Sequence, residues 1–208
     1  MSRILFVIAL IAAVVPLPAG AQTGGKPGAA KAPQYQVGDR LAPPKAGKVE
    51  PGDSSRYREV KWEELISPSW RPEEIVKSLN LDMMMDGDPR ATAALARLRQ
   101  EWDNAPATPA LHGAAVKFAG VVVPLERDGD ALREFLLVPY FGACIHVPPP
   151  PANQIVHVVM PKAIPNTATM EAVWVSGKLT LSKVRTHMGR SGYRLEAARV
   201  EPYTTNRP

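Results

Sequence analysis

Apolar positions follow different rules in different parts of the chain. Ile4 to Val15 is an unbroken apolar run, residues 22–52 hold scarcely a side chain worth burying, and from Tyr57 onward apolar residues recur at regular spacings. Between Tyr57 and Asp103 the spacing is helical. Trp62, Leu65 and Ile66 fall on one helical face, and Pro68 ends that turn. Pro72 suits a first helical position, Glu73 and Glu74 follow where the helix dipole favours acids, and Ile75, Val76 and Leu79 form an apolar stripe. The clearest helix runs from about Pro89 to Asp103, with Ala94, Leu95, Leu98 and Trp102 on one side and mostly charged residues on the other. Asn104-Ala105-Pro106 stops it. These helices are expected to pack on something else.

From Ala115 the period changes to two. Val116 to Leu125, Leu132 to Pro139, Gln154 to Met160, Glu171 to Val184 and Gly192 to Pro202 are five stretches rich in Val, Leu and aromatics, separated by turn residues such as Asp128-Gly129-Asp130. Gly120 and Gly177 sit inside two of them, where a tightly coiled sheet needs a bend or bulge. The expected fold is α+β: a small five-stranded OB-like β-barrel preceded by short helices. Residues 57–110 form the helical lead-in and 111–204 the barrel, together one globular unit.

Composition sharpens the two ends of this picture. Arg3, the 12-residue apolar stretch and the small residues Ala19-Gly20-Ala21 have the layout of a cleavable secretory signal over residues 1–21. The stretch is shorter than the roughly 20 residues of a spanning helix. No cysteine stands near the cut for lipid attachment, so the expected product is a soluble periplasmic protein without a transmembrane anchor. Residues 22–56, rich in Gly, Ala, Pro and Lys, read as a disordered tether because ordering them returns little burial. The formal charge of +5 is concentrated there: Arg3 leaves with the signal, and residues 22–50 carry five basic against two acidic groups, leaving about +1 for residues 51–208. A basic footprint for nucleic acid is absent. Phe118, Phe135, Trp174 and Tyr193, at alternating strand positions, are expected in the core rather than as a base-stacking set. The single cysteine, Cys144, excludes an internal disulfide.

One stretch departs from these patterns. Between the second and third strands runs Pro139-Tyr140-Phe141-Gly142-Ala143-Cys144-Ile145-His146-Val147-Pro148-Pro149-Pro150-Pro151-Ala152-Asn153-Gln154. Four successive prolines impose a polyproline II rod on the order of 12 Å long, without backbone donors for a sheet. With Gly120 to Glu126, Val175 to Leu179, Tyr193, Glu201-Pro202-Tyr203 and the upstream Trp62 to Leu65, this run resembles DUF3299, a family of exported bacterial proteins of unknown function. The resemblance covers about residues 60–203. It implies accessory proteins, some of them encoded beside ABC-type transporters in clusters tied to zinc supply.

Candidate chemistry in the run comes in three forms. Cys144 and His146 are two apart, so in an extended segment they share a face, and with His157 on the next strand they make a candidate zinc or copper site. The alternative is a buried apolar thiol and a hydrogen-bonded loop anchor. A Cys with a nearby His is also the minimum for a catalytic thiolate, but no third orienting group can be named, and Gly-x-Ser-x-Gly, His-Glu-x-x-His and P-loop patterns are absent. Met83-Met84-Met85 reads as a flexible apolar plug at a helix end, because three consecutive residues cannot face one ion on a helix. The reading that uses most of the run is a non-enzymatic contact surface for an envelope protein, formed by Tyr140, Phe141, Pro148, Pro149, Pro150, Pro151, Asn153 and Gln154. The competing one is a metal-binding module on Cys144 and His146.

Overall fold

The computed structural model describes residues 36–41, 56–80, 83–85, 87–144, 149–165 and 170–203. The expected signal sequence, most of the tether, His146 and Pro148 lie outside the described residues.

A short strand β1 (Arg58–Glu59) and a 3-10 turn (Trp62–Leu65) lead into helices α1 (Pro72–Leu79) and α2 (Pro89–Asp103), then strands β2 (Ala115–Asp128), β3 (Ala131–Val138), β4 (Val156–Pro165), β5 (Ala172–Thr186) and β6 (Gly189–Pro202). Both helices start on proline, whose missing N–H costs nothing at that position. Asp88 caps α2, accepting from the Arg90 backbone N–H at 2.8 Å. Asn80 ends α1 in the left-handed region at φ 48°.

β2 to β6 close into a mixed OB-like barrel in the order β2-β3-β4-β6-β5, with β5 pairing back to β2. Neighbours are antiparallel except β4 and β6, which run parallel from Val156 opposite Tyr193 to Val159 opposite Glu196. Of the two internal glycines only Gly177 lies on a bulge; the β2–β5 ladder runs through Gly120 in unbroken register, and Gly120 serves a close approach instead. At Gly177, on a bulge of the β5–β6 ladder, a Cβ would run into the backbone carbonyl of Glu196. At Gly120 it would lie 2.6 Å from Leu137 Cγ and 3.0 Å from the Trp62 ring.

Two clusters of buried residues result. The inner one fills the barrel with Phe118, Phe135, Leu137, Val158, Val175, Tyr193 and Leu195, and is roofed by Val60, Leu65 and Leu111 of the lead-in. The outer one lies on the opposite face of β2 and β3, where Val121, Val123, Leu136 and Val138 are covered by Phe141, Ala143 and Ile155. This explains why Phe135 to Val138 is continuously apolar: both faces of β3 are buried. Of the four strand aromatics expected in the core, Phe118, Phe135 and Tyr193 are fully buried. Trp174 is half-buried, with Lys117 Nζ 4.5 Å from its ring.

Four local expectations change. Trp62 to Ile66 is a 3-10 turn followed by an extended residue, and Ile66 bridges Ala107 instead of continuing a helical face. Met83 and Met85 are 83% and 82% exposed and Met84 is half-buried, so the three do not form an apolar plug. Within the expected tether, Gln36–Leu41 is hydrogen-bonded to the crossing although mostly exposed: the Gly38 N–H donates to the Phe141 carbonyl at 2.7 Å, the Phe141 N–H to the Asp39 carbonyl at 3.1 Å, and Leu41 rests on the outer cluster. Finally, α2 fully buries only Ala94; Leu98 and Trp102 are half-buried and Leu95 is 55% exposed, so its apolar side is only partly covered.

Candidate functional site

The crossing from β3 to β4 is built into the barrel wall at both ends. At its start, Tyr140 faces Arg40 in an isolated antiparallel bridge, and Phe141 sinks into the outer cluster. The next turn needs left-handed backbone at Gly142, φ 82°, where the Val37 side chain lies on the space a Cβ would take. Cys144 follows at φ 66°, an unfavourable conformation for a residue with a side chain. At its end, Pro151 has the polyproline II values φ −57° and ψ 150°, and a 3-10 turn (Ala152–Gln154) delivers the chain into β4.

Of the residues expected to meet a partner, four are buried: Phe141, Pro150, Asn153 and Gln154. Tyr140, Pro149 and Pro151 are half-buried and keep surface toward solvent, and Pro148 lies outside the described residues. The two amides bind the protein's own lead-in. Asn153 Nδ2 donates to the Pro106 carbonyl at 3.1 Å, and Gln154 Nε2 donates to the Trp62 carbonyl at 2.8 Å. A polar pair in a proline-rich loop thus serves as an internal tie, because the lead-in's irregular backbone presents carbonyls that no ladder satisfies. Tyr193 makes the third tie, its hydroxyl donating to the Leu65 carbonyl at 2.7 Å and accepting from the Thr108 N–H at 2.6 Å. Burial pushes the Tyr193 phenol up, with the Thr108 N–H acting against it.

The candidate metal residues are placed as follows. Cys144 packs at the edge of the outer cluster, and burial pushes its thiol up to about 12. His157, buried on β4 between Leu136 and Arg194, has Nε2 3.0 Å from Glu134 Oε2. Its Nδ1 has no hydrogen-bond partner among the described residues. No group of three His, Cys, Asp or Glu side chains suited to a metal comes together among the described residues. Of the other histidines, His112 Nδ1 accepts from the Leu181 N–H at 3.1 Å, and His187 stands at the tip of the β5–β6 hairpin.

A feature that sequence spacing did not reveal lies beside the crossing. The β5–β6 hairpin extends past the barrel, and between it, α2 and Pro149–Pro150 opens a cleft of about 810 Å³ with Cys144 on its wall. Pro149 rests against Gly189 of the hairpin, 3.3 Å from where a Cβ would stand.

Comparison with known proteins agrees with this architecture. The family model described as "Protein of unknown function (DUF3299)" matches residues 62–202. A crystal structure of a DUF3299 family protein from Pseudomonas aeruginosa is similar to the chain at 35% identity with a TM-score of 0.56, covering 71% of this chain and 97% of that one. No curated protein matches the chain.

Proposed function

The chain belongs to the DUF3299 family, whose function is not known, and from its own geometry we propose that it is a non-enzymatic accessory protein of the periplasm that meets an envelope protein through the β3–β4 crossing. The observation that carries this reading is how the crossing is held. Phe141, Asn153 and Gln154 anchor it from inside, so the half-buried Tyr140, Pro149 and Pro151 present their remaining surface in positions fixed before any partner arrives. Little ordering entropy remains to be lost on binding.

The thiol supports a role without catalysis. A nucleophilic cysteine acts as the thiolate, and burial drives Cys144 away from it, to about 12. Export rests on Arg3, the Ile4 to Val15 run and the small residues before Gln22. No helix among the described residues is long and apolar enough to cross a membrane. The family resemblance suggests a component of an ABC-type transporter linked to metal supply as the partner.

Cell fractionation with N-terminal sequencing, combined with affinity capture of the chain, tests this reading. The expected result is a periplasmic product beginning near Gln22 whose captured envelope partner is lost on Tyr140→Ser and Pro151→Asp. A cytoplasmic chain that keeps residues 1–21, or a partner indifferent to both substitutions, would overturn it.

A further inference from the structure

We propose that the cleft between α2, the β5–β6 hairpin and Pro149–Pro150 is a binding site for an amphipathic anion, an apolar chain or ring that ends in a carboxylate or phosphate. Its volume of about 810 Å³ lies in the range of ligand pockets, about 300 to 1,000 Å³. Its lining is segregated by chemistry. On one side Leu95, Leu98 and Trp102, at helical positions i, i+3 and i+7, turn a single apolar stripe toward Met188, Pro149 and Pro150. This is the stripe that gives α2 its amphipathic pattern, yet the helix buries only Ala94, and Leu95 is left 55% exposed. An apolar occupant covers what the protein's own packing leaves open.

The other end is basic. Arg99, Arg185 and Arg190 line it against the single carboxylate of Asp103, and the same four residues continue into an adjoining polar recess of about 420 Å³ with Gln100 and Asn104. Arg190 Nε stands 3.6 Å from Asp103 Oδ2, too far for a hydrogen bond. Arg99 and Arg185 have no acidic partner among the described residues. Three guanidinium groups facing one carboxylate, in a domain whose formal charge is close to neutral, concentrate positive charge at one spot. Guanidinium forks suit carboxylate and phosphate oxygens. Trp102 lines the same cleft with its ring, while its Nε1 is shielded from solvent and has no hydrogen-bond partner among the described residues. An anionic head with an apolar tail matches both halves; a cation or a purely apolar molecule matches only one.

Titration calorimetry of the mature chain with dodecanoate, dodecyl phosphate and dodecyltrimethylammonium below their micelle concentrations, and with dodecanol below its solubility limit, tests the assignment. Dodecanoate and dodecyl phosphate should bind saturably at one site, and the tighter of the two names the head group. Dodecanol should bind about tenfold more weakly and the cation not measurably. The double variant Arg99→Glu, Arg185→Glu changes exposed side chains and should erase the preference for anions while leaving dodecanol binding in place. Leu95→Asp, also exposed, should weaken every chain. If charge reversal lowers the melting temperature, Arg99→Gln with Arg185→Gln makes the same test. The proposal is overturned if the cation binds as well as the anions or if the arginine variants leave anion binding unchanged. It is equally overturned if sedimentation shows a dimer that Leu95→Asp dissolves, because a second copy then covers the stripe.

Discussion

Replacing Tyr193 by Phe tests how the lead-in is held to the barrel. The ring is fully buried in the inner cluster, so Phe keeps its packing and removes one oxygen. That oxygen serves two backbone groups, the Leu65 carbonyl at 2.7 Å and the Thr108 N–H at 2.6 Å. Each hydrogen bond contributes about 1 kcal/mol net, and a buried polar group left without a partner costs about 1–3 kcal/mol. With the Leu65 side enclosed and the Thr108 side partly so, the expected loss is about 2–4 kcal/mol. Urea unfolding should show a lower midpoint at an unchanged slope, and the melting temperature should fall by about 2–4 °C for each kcal/mol. Gln154→Ala removes a second tie to the same lead-in, at Trp62. The double variant should lose less than the sum of the single losses, because a detached lead-in leaves the other tie nothing to hold. A loss under about 0.5 kcal/mol for Tyr193→Phe would refute this account of the attachment.

Other perturbations have equally definite outcomes. Gly177→Ala places a methyl against the Glu196 carbonyl and should cost several kcal/mol, on the order of 2–4, or prevent soluble expression; wild-type melting behaviour would contradict the bulge geometry. Iodoacetamide should alkylate Cys144 at neutral pH about a thousandfold more slowly than a free thiol, because the thiol is pushed up to about 12; a rate at or above that of a free thiol would reopen the catalytic reading. The Arg90 guanidinium and backbone N–H hold Asp88 below its ordinary value of 3.8, so its contribution is present above that value and lost as pH falls through the lower folded one. The acid side of the melting profile should therefore be flatter in Asp88→Asn than in wild type. After chelation and return to micromolar zinc, the mature protein should keep well under one equivalent; stoichiometric metal lost in both Cys144→Ser and His146→Ala would establish the metal-binding module instead.

Where local chemistry decides a structure, the sequence is legible here. Period-two runs locate the barrel strands, Gly177 marks a bulge, and Pro89 starts α2. What escapes reading depends on partners far along the chain. Asn153 and Gln154 look like solvent-facing loop residues, but their acceptors, Pro106 and Trp62, stand 47 and 92 residues away. β1 is two exposed residues with no pattern of their own, and it forms only because β2 offers a free edge. Gln36–Leu41 is embedded in tether-like composition, and Phe141 supplies the backbone that orders it. The cleft is hidden for a related reason: its stripe on α2 reads as core, and only the three-dimensional arrangement shows that Leu95 is exposed and Leu98 and Trp102 only half-buried.

The most direct test of the central claim is photo-crosslinking in the native host, with a benzophenone amino acid placed at Pro151 on the crossing or at Lys178 on the exposed wall of β5. The account predicts one discrete adduct with an envelope protein from position 151, abolished by Tyr140→Ser, and none from position 178. Equal labelling from both positions, or no adduct from 151, would contradict it.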